Sequence, residues 1–240
     1  MKKTGLLRRL VRGLLLVLSL LLLAAVGSVL ALRWVNPPTS AFMIAARIAA
    51  FSDTRPYRTD YRWVDLEGIS PQAAIAVIAA EDQQFPFHMG FDFKSIREAV
   101  RNNANGRPVR GASTISQQVA KNLFLWSGRS WFRKGLETGF TLMIEVLWPK
   151  ERILEVYLNI AQFGRGIYGV EAAAQRFYRQ PARRLNREQS AMLAATLPSP
   201  LRLHAEAPSR YLLSRRDWIL RQMSGLGGTH YLDRLEPPAH

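Results

Sequence analysis

The chain has 240 residues, is 48% hydrophobic and contains no cysteine. That leaves room for one good-sized domain plus an appendage, and it excludes a disulfide framework and a thiolate metal site. With 33 Lys and Arg against 18 Asp and Glu, the formal net charge is +15, which favours an anionic partner such as lipid headgroups, phosphorylated substrates or nucleic acid. A basic face that serves only solubility is the alternative reading of the charge alone.

The chain opens with MKKTGLLRRLVRG, which carries Lys2, Lys3, Arg8, Arg9 and Arg12 and no acid. From Gly13 to Leu32 there is no charge, and about twenty helical residues cover roughly 30 Å, the thickness of a bilayer's hydrocarbon core. Residues 1–12 therefore read as a basic cytoplasmic tail and 13–32 as a single transmembrane helix, with everything after Arg33 outside the cytoplasm. A cleaved signal peptide ending at Val29-Leu30-Ala31 is the rival, but the apolar run exceeds the roughly 7–15 residues of a signal. The expected location is thus the cell inner membrane, single-pass, with the folded part periplasmic or otherwise extracytoplasmic. There it does not meet nucleic acid, so lipid and phosphorylated substrates remain as partners of the basic body.

Asn36-Pro37-Pro38 ends the anchor helix. Residues 33–60 read as a juxtamembrane connector whose amphipathic piece, FMIAARIAAF, is suited to lie against the bilayer. The rest, 61–235, reads as one mostly α domain with few β-branched runs and no hairpin turns. PQAAIAVIAAED forms a helix with Pro71 in its first turn, SIREAVRNNANG a second that stops near Gly106, and ASTISQQVAKNLFL a third. RKGLETGFTLMIEVLWP is a fourth, ended by Pro149, and KERILEVYLNIAQFG a fifth that runs into the turn GRGIYG. VEAAAQRFYRQ and NREQSAMLAATLP follow, with Asn186 and Gln189 forming a capping box.

Three stretches carry candidate chemistry. In AAEDQQFPFHMGFD, Glu81 and Asp82 stand at the end of an apolar helix, as solvated terminators or as mounted chemistry. Along the fourth helix Leu136, Phe140, Met143, Ile144 and Leu147 share one stripe on the helical period. Glu145 falls on the far side, where a solvated glutamate is expected. Glu137 sits at the stripe's edge with Arg133 one turn back, as a surface ion pair or as the lining of a cleft. GASTISQQVAKN places hydroxyls and amides at a helix start, an ordinary cap or a phosphate site.

Taken together, EDQQFPFHMGFD, GASTISQQVAKN, RKGLE and ERILEVYLNIAQFGRGIYGVEAAA resemble, in order and spacing, the peptidoglycan glycosyltransferase family. That family supplies the polymerase half of class A penicillin-binding proteins and also occurs as a stand-alone enzyme. NREQSAMLAATLPSP resembles its fifth motif, which normally continues toward a Tyr-Asn-Pro-like end; here Arg202-Leu203-His204 stands instead, and the segment after Pro200 carries no assigned function. The resemblance implies a lysozyme-like helical fold with a small membrane-proximal lobe. It further implies that lipid II is polymerised into β-1,4 glycan by inverting transfer, with undecaprenyl pyrophosphate released. Glu81 matches the base that deprotonates the acceptor's 4-hydroxyl. Its ordinary pKa near 4.3 makes it a feeble base at neutral pH, so position and a partly dry site must supply its basicity.

The resemblance also implies that Asp82, Phe85 and His88 shape the site, with His88 equally able to serve only by fixing the turn before Gly90. Glu137 matches the second carboxylate, either an acid toward the leaving pyrophosphate or its metal-mediated or structural partner; Mg2+ or Mn2+ is the candidate cofactor. Lys121, Arg133 and Lys134 match the positions that hold the pyrophosphate, whose departure needs its charge neutralised. Ser113, Thr114, Gln118 and Asn122 would bond phosphate or sugar. NLFLWSGRSWFRK, mixing Phe124, Trp126, Trp131 and Phe132 with Arg129, Arg133 and Lys134, suits the headgroup region, with ordinary core aromatics as the alternative. The partners implied are lipid II, the growing glycan, membrane lipids and other cell-wall synthesis proteins. Two other classes share parts of this pattern: a glycan-cleaving lysozyme or lytic transglycosylase, which has no need of a cationic pyrophosphate pocket, and a non-catalytic glycan-binding scaffold, which has no need of Glu81 and Glu137.

Overall fold

The computed structural model describes residues 3–54, 56–94, 97–98, 101, 113–128 and 130–235, with side chains from residue 8 onward. The helix expected in SIREAVRNNANG lies largely outside the described residues, as do Gly111, Ala112 and Arg129. The chain divides into two units, Met1–Pro37 and Pro38–His240.

The first unit is helix α1, Lys3–Ala31. Within Arg8–Ala31 an 18-residue stretch has a mean hydropathy of 2.8, and Leu14 to Leu23 stay largely exposed. It is long and apolar enough to cross a membrane.

The second unit is built from helices, with one small sheet. Helix α2, Ala41–Ala50, is capped by Ser40, whose hydroxyl accepts from the Met43 amide. The expected connector is thus in part a folded element of the body, with Met43 buried and Ile44, Ile48 and Phe51 exposed. Helix α3, Pro71–Glu81, has Pro71 in its first turn and buries every residue from Ala73 to Ala79. Small alanines on all sides let neighbours close in around it, so it forms the central post of the domain. It ends because Asp82 leaves the helical region, at φ −161 and ψ 78.

Helix α4, Ile115–Phe124, starts at a capping box between Thr114 and Gln117. It packs against α2, α5 (Trp131–Leu147) and α6 (Lys150–Ile160). Helix α7, Val170–Tyr178, leads to α8, Arg187–Thr196, whose Asn186–Gln189 capping box is the one read from the sequence. Helix α9, Arg210–Gly225, lies against α8 and α3, so the segment after Pro200 completes the wall around the central helix.

The expectation of no hairpin is corrected. QFGRGIY folds into β2 (Gln162–Gly164) and antiparallel β3 (Ile167–Tyr168), and β1 (Asp60–Tyr61) adds in parallel to give the order β1-β3-β2. Gly166 makes the turn possible: its φ is +75, and a Cβ there would stand 2.2 Å from the Arg58 carbonyl oxygen.

Helix α5 also departs from its expected orientation. Of the apolar stripe only Ile144 is fully buried, beside Glu137, Thr141 and Glu145, whereas Leu142 and Val146 are exposed. Glu145, expected in solvent, is 7% exposed: Lys150 reaches its carboxylate at 2.8 Å and the Ser116 hydroxyl donates to it. A buried carboxylate is tolerable when a cation and a hydroxyl satisfy it, and that partnership overrides the hydrophobic pattern.

Candidate active site

Glu81 closes α3 at the point where three other helices present polar groups. Gln118 of α4 donates its side-chain amide to Oε2 at 2.9 Å. The Gln118 carbonyl oxygen accepts from the Tyr157 hydroxyl of α6 at 3.1 Å, which fixes which end of the amide faces the carboxylate. Arg215 of α9 approaches Oε1 at 3.5 Å. Burial raises the Glu81 pKa above its ordinary value, against the opposing pull of the Gln118 hydrogen bond, Arg215 and Lys121. A carboxylate shifted this way is a better base than one in water.

Asp82 points into the protein rather than beside Glu81. It is 6% exposed and accepts from His88 Nε2 at 2.9 Å and from the Ile115 amide at 3.0 Å. The Gly90 amide donates to His88 Nδ1 at 3.1 Å, so the proton of the neutral ring sits on Nε2 and faces Asp82. Gly90, at φ +82, offers its carbonyl to the Thr114 hydroxyl at 2.7 Å. Asp82 and His88 therefore hold the turn after α3 onto the start of α4. Phe85 is fully buried, with the Lys150 ammonium 4.6 Å from its ring centre.

A cleft of about 150 Å³ opens beside α4 and α5, lined by Ser113, Gln117, Gln118, Lys121, Arg133, Lys134 and Glu137. Glu137 is buried, with Arg133 Nη1 on Oε2 at 2.7 Å and Lys134 Nζ on Oε1 at 2.5 Å. Lys121 faces both carboxylates electrostatically; burial lowers its pKa, most strongly opposed by Glu137. Gln118 lines this cleft while bonding Glu81, so a single side chain links the Glu81 carboxylate to the cationic cleft that Glu137 lines.

Two expected binding residues stand elsewhere. Thr114 is 2% exposed, and its hydroxyl caps α4 while bonding Gly90; it has no surface to offer a ligand. Asn122 is half-buried and does not line the cleft. Ser113 is exposed at the cleft's edge. Sequence reasoning passed over Gln117, Tyr157 and Arg215. For Arg215 a signal existed, because it falls on the same face of α9 as buried Leu212 and Ile219, an unusual place for a cation.

The residues do not fit a protein-built metal centre. Both Glu137 oxygens are taken by Arg133 and Lys134, and among the described residues no group of three or more His, Cys, Asp or Glu converges on one point.

Comparison with known proteins gives a consistent result. The Transglycosylase family model matches residues 47–224. A protein of Xylella fastidiosa is 52% identical over 223 residues, 92% of each chain, and one of Pseudomonas entomophila is 50% identical over 233 residues, 97% of each. A protein of Cronobacter sakazakii is 56% identical over 196 residues, 81% of each chain. All three are named biosynthetic peptidoglycan transglycosylase.

Proposed function

The chain belongs to the transglycosylase family, and from that premise we propose how its groove polymerises lipid II. The protein is a peptidoglycan glycosyltransferase with a lysozyme-like helical domain, and that activity implies lipid II and glycan as its substrates. Its apolar N-terminal helix is compatible with a membrane anchor. The finer topology is part of the proposal: a basic tail in the cytoplasm, residues 13–32 across the inner membrane, and the catalytic domain outside.

Glu81 takes the proton from the acceptor's 4-hydroxyl as that oxygen attacks the donor's anomeric carbon. The bond to the diphosphate breaks on the opposite side, the configuration inverts, and undecaprenyl pyrophosphate leaves without a covalent enzyme intermediate. Lys121, Arg133 and Lys134 neutralise the charge that grows on the diphosphate oxygens. Glu137 holds Arg133 and Lys134 in place, because both of its oxygens already accept from those cations and neither is left to donate a proton. Ser113 and Gln118 are the polar groups suited to bond sugar or phosphate at the groove.

The observation that carries this reading is the shared groove, in which Gln118 bonds Glu81 while lining a cleft that holds three cations. A cleaving enzyme needs no such cationic pocket. Exposed Trp131 and Phe132 beside Lys134, with Ile44 and Ile48 on α2 and Phe51 just after it, support contact of the domain with membrane lipids. The test is to incubate the full chain in detergent separately with lipid II and with polymeric glycan. Lengthening from lipid II with the polymer untouched is expected; loss of polymer without lengthening would replace the reading with a cleaving enzyme.

A further inference from the structure

Helix α9 lies beyond the motifs first linked to the reaction, yet it sends one side chain to the catalytic centre. Its N-cap Ser209 accepts from the Leu212 amide, and Leu212, Ile219 and Met223 are buried. Arg215 lies between Leu212 and Ile219 on that face, so packing carries its guanidinium inward with its Nε buried and unbonded among the described residues. Nη2 stands 3.5 Å from Glu81 Oε1, and the guanidinium lies 6.0 Å from the Trp218 ring centre.

We propose that Arg215 is a positioning residue for the transfer reaction, keeping Glu81 ionised while leaving Oε1 open to receive the acceptor's proton. This rests on Glu81 being the base. The other charged or titratable groups facing Glu81 are Lys121 from α4, Asp82 at its own helix end and Tyr157 from α6. Gln118 supplies a neutral hydrogen bond to Oε2 alone. Arg215 is the cation on the Oε1 side, and 3.5 Å is longer than a strong charge-assisted bond. Its charge therefore favours the carboxylate without capping the oxygen that must act. A bidentate contact at shorter range would suppress the basicity that burial provides.

The experiment is the pH profile of kcat/KM for lipid II elongation by the full chain, comparing wild type with Arg215→Gln, Arg215→Met and Arg215→Lys. Removing the cation disfavours the ionised form of Glu81, so the acidic limb of the profile must move to higher pH. An opposite charge at this range shifts a carboxylate by about one unit when solvent partly screens it, so at the pH of the wild-type midpoint the glutamine variant should be about fivefold slower than wild type, approaching about tenfold at lower pH. On the plateau it should return near wild type. Arg215→Met, which keeps an apolar stem against Trp218, should show the same displacement, and Arg215→Lys should largely restore the limb. Equal loss at every pH with the limb unmoved would overturn the inference and leave Arg215 a packing or substrate-contacting residue. Wild type that makes no glycan from lipid II at any pH would remove the proposed function as well, so the two failures are distinguishable.

Discussion

Gln118 joins Glu81 to Tyr157: its amide nitrogen donates to Glu81 Oε2 at 2.9 Å, and its carbonyl oxygen accepts from the Tyr157 hydroxyl at 3.1 Å. The Glu81 carboxylate, the proposed base, is thereby held by a relay that spans α3, α4 and α6. A hydrogen bond to a buried charge contributes roughly 1.5–3 kcal/mol. Gln118→Leu should therefore raise the acidic limb of the rate profile and lower elongation about tenfold or more near neutral pH, with the fold intact by circular dichroism. Tyr157→Phe, which frees the amide to rotate, should give a smaller loss in the same direction.

The Glu145–Lys150 pair gives a prediction about stability. Its side chains are 2% and 14% exposed, and Lys150 also bonds the His88 carbonyl at 2.6 Å. Removing one partner leaves a buried charge unpaired, a loss of about 3 kcal/mol or more. Glu145→Leu and Lys150→Met should each lower the thermal midpoint of the detergent-solubilised chain by several degrees. The double variant should be less affected than the sum of the two, and simple additivity would contradict the pairing.

Gly90 couples the turn after α3 to both α4 and α5. At φ +82 an added Cβ would meet the Thr141 Cγ2 at 2.6 Å and the Glu145 Cγ at 3.0 Å. Gly90→Ala should combine backbone strain of about 1–2 kcal/mol with that clash. Lower stability and lower activity are expected together, because His88, Asp82 and Thr114 all hang on this turn. A thermal scan beside an elongation assay checks both.

In the proposed mechanism Lys121 sets the alkaline side of the reaction. Burial lowers its pKa, so it loses its charge at a pH below the ordinary lysine range, and rate should fall there as the diphosphate loses a cation. Lys121→Arg, which stays charged throughout, should carry the alkaline limb upward even if its plateau is lower. Glu137→Gln should lose rate at all pH values without abolishing that limb, since its proposed part is to hold Arg133 and Lys134. A limb that disappears in Glu137→Gln would instead make Glu137 the acid.

Much of this was legible in the sequence because it depends on local rules. Pro71, the Asn186–Gln189 box and Pro149 marked helix ends that the structure places where the pattern put them. The Glu81, Lys121 and Glu137 stretches were found through long motifs rather than periodicity. What escaped depended on tertiary partners. Helical period put Glu145 in solvent, but Lys150 and Ser116, from other helices, pull it inside. Thr114 looked like a ligand group because a cap and a phosphate site use the same residue types. The hairpin around Gly166 was hidden because strands of two or three residues show no alternation to read. Arg215 could not be tied to Glu81 from spacing, with 134 positions between them.

The most direct test of the whole account is glycan elongation from lipid II by Glu81→Gln, measured at saturating substrate and across pH beside wild type. Glutamine preserves size and hydrogen bonding to Gln118 but cannot accept the proton. Elongation should drop by three orders of magnitude or more, on the order of what a general base contributes, while lipid II binding and the thermal midpoint stay near wild type. Elongation at the wild-type rate in that variant would contradict Glu81 as the base.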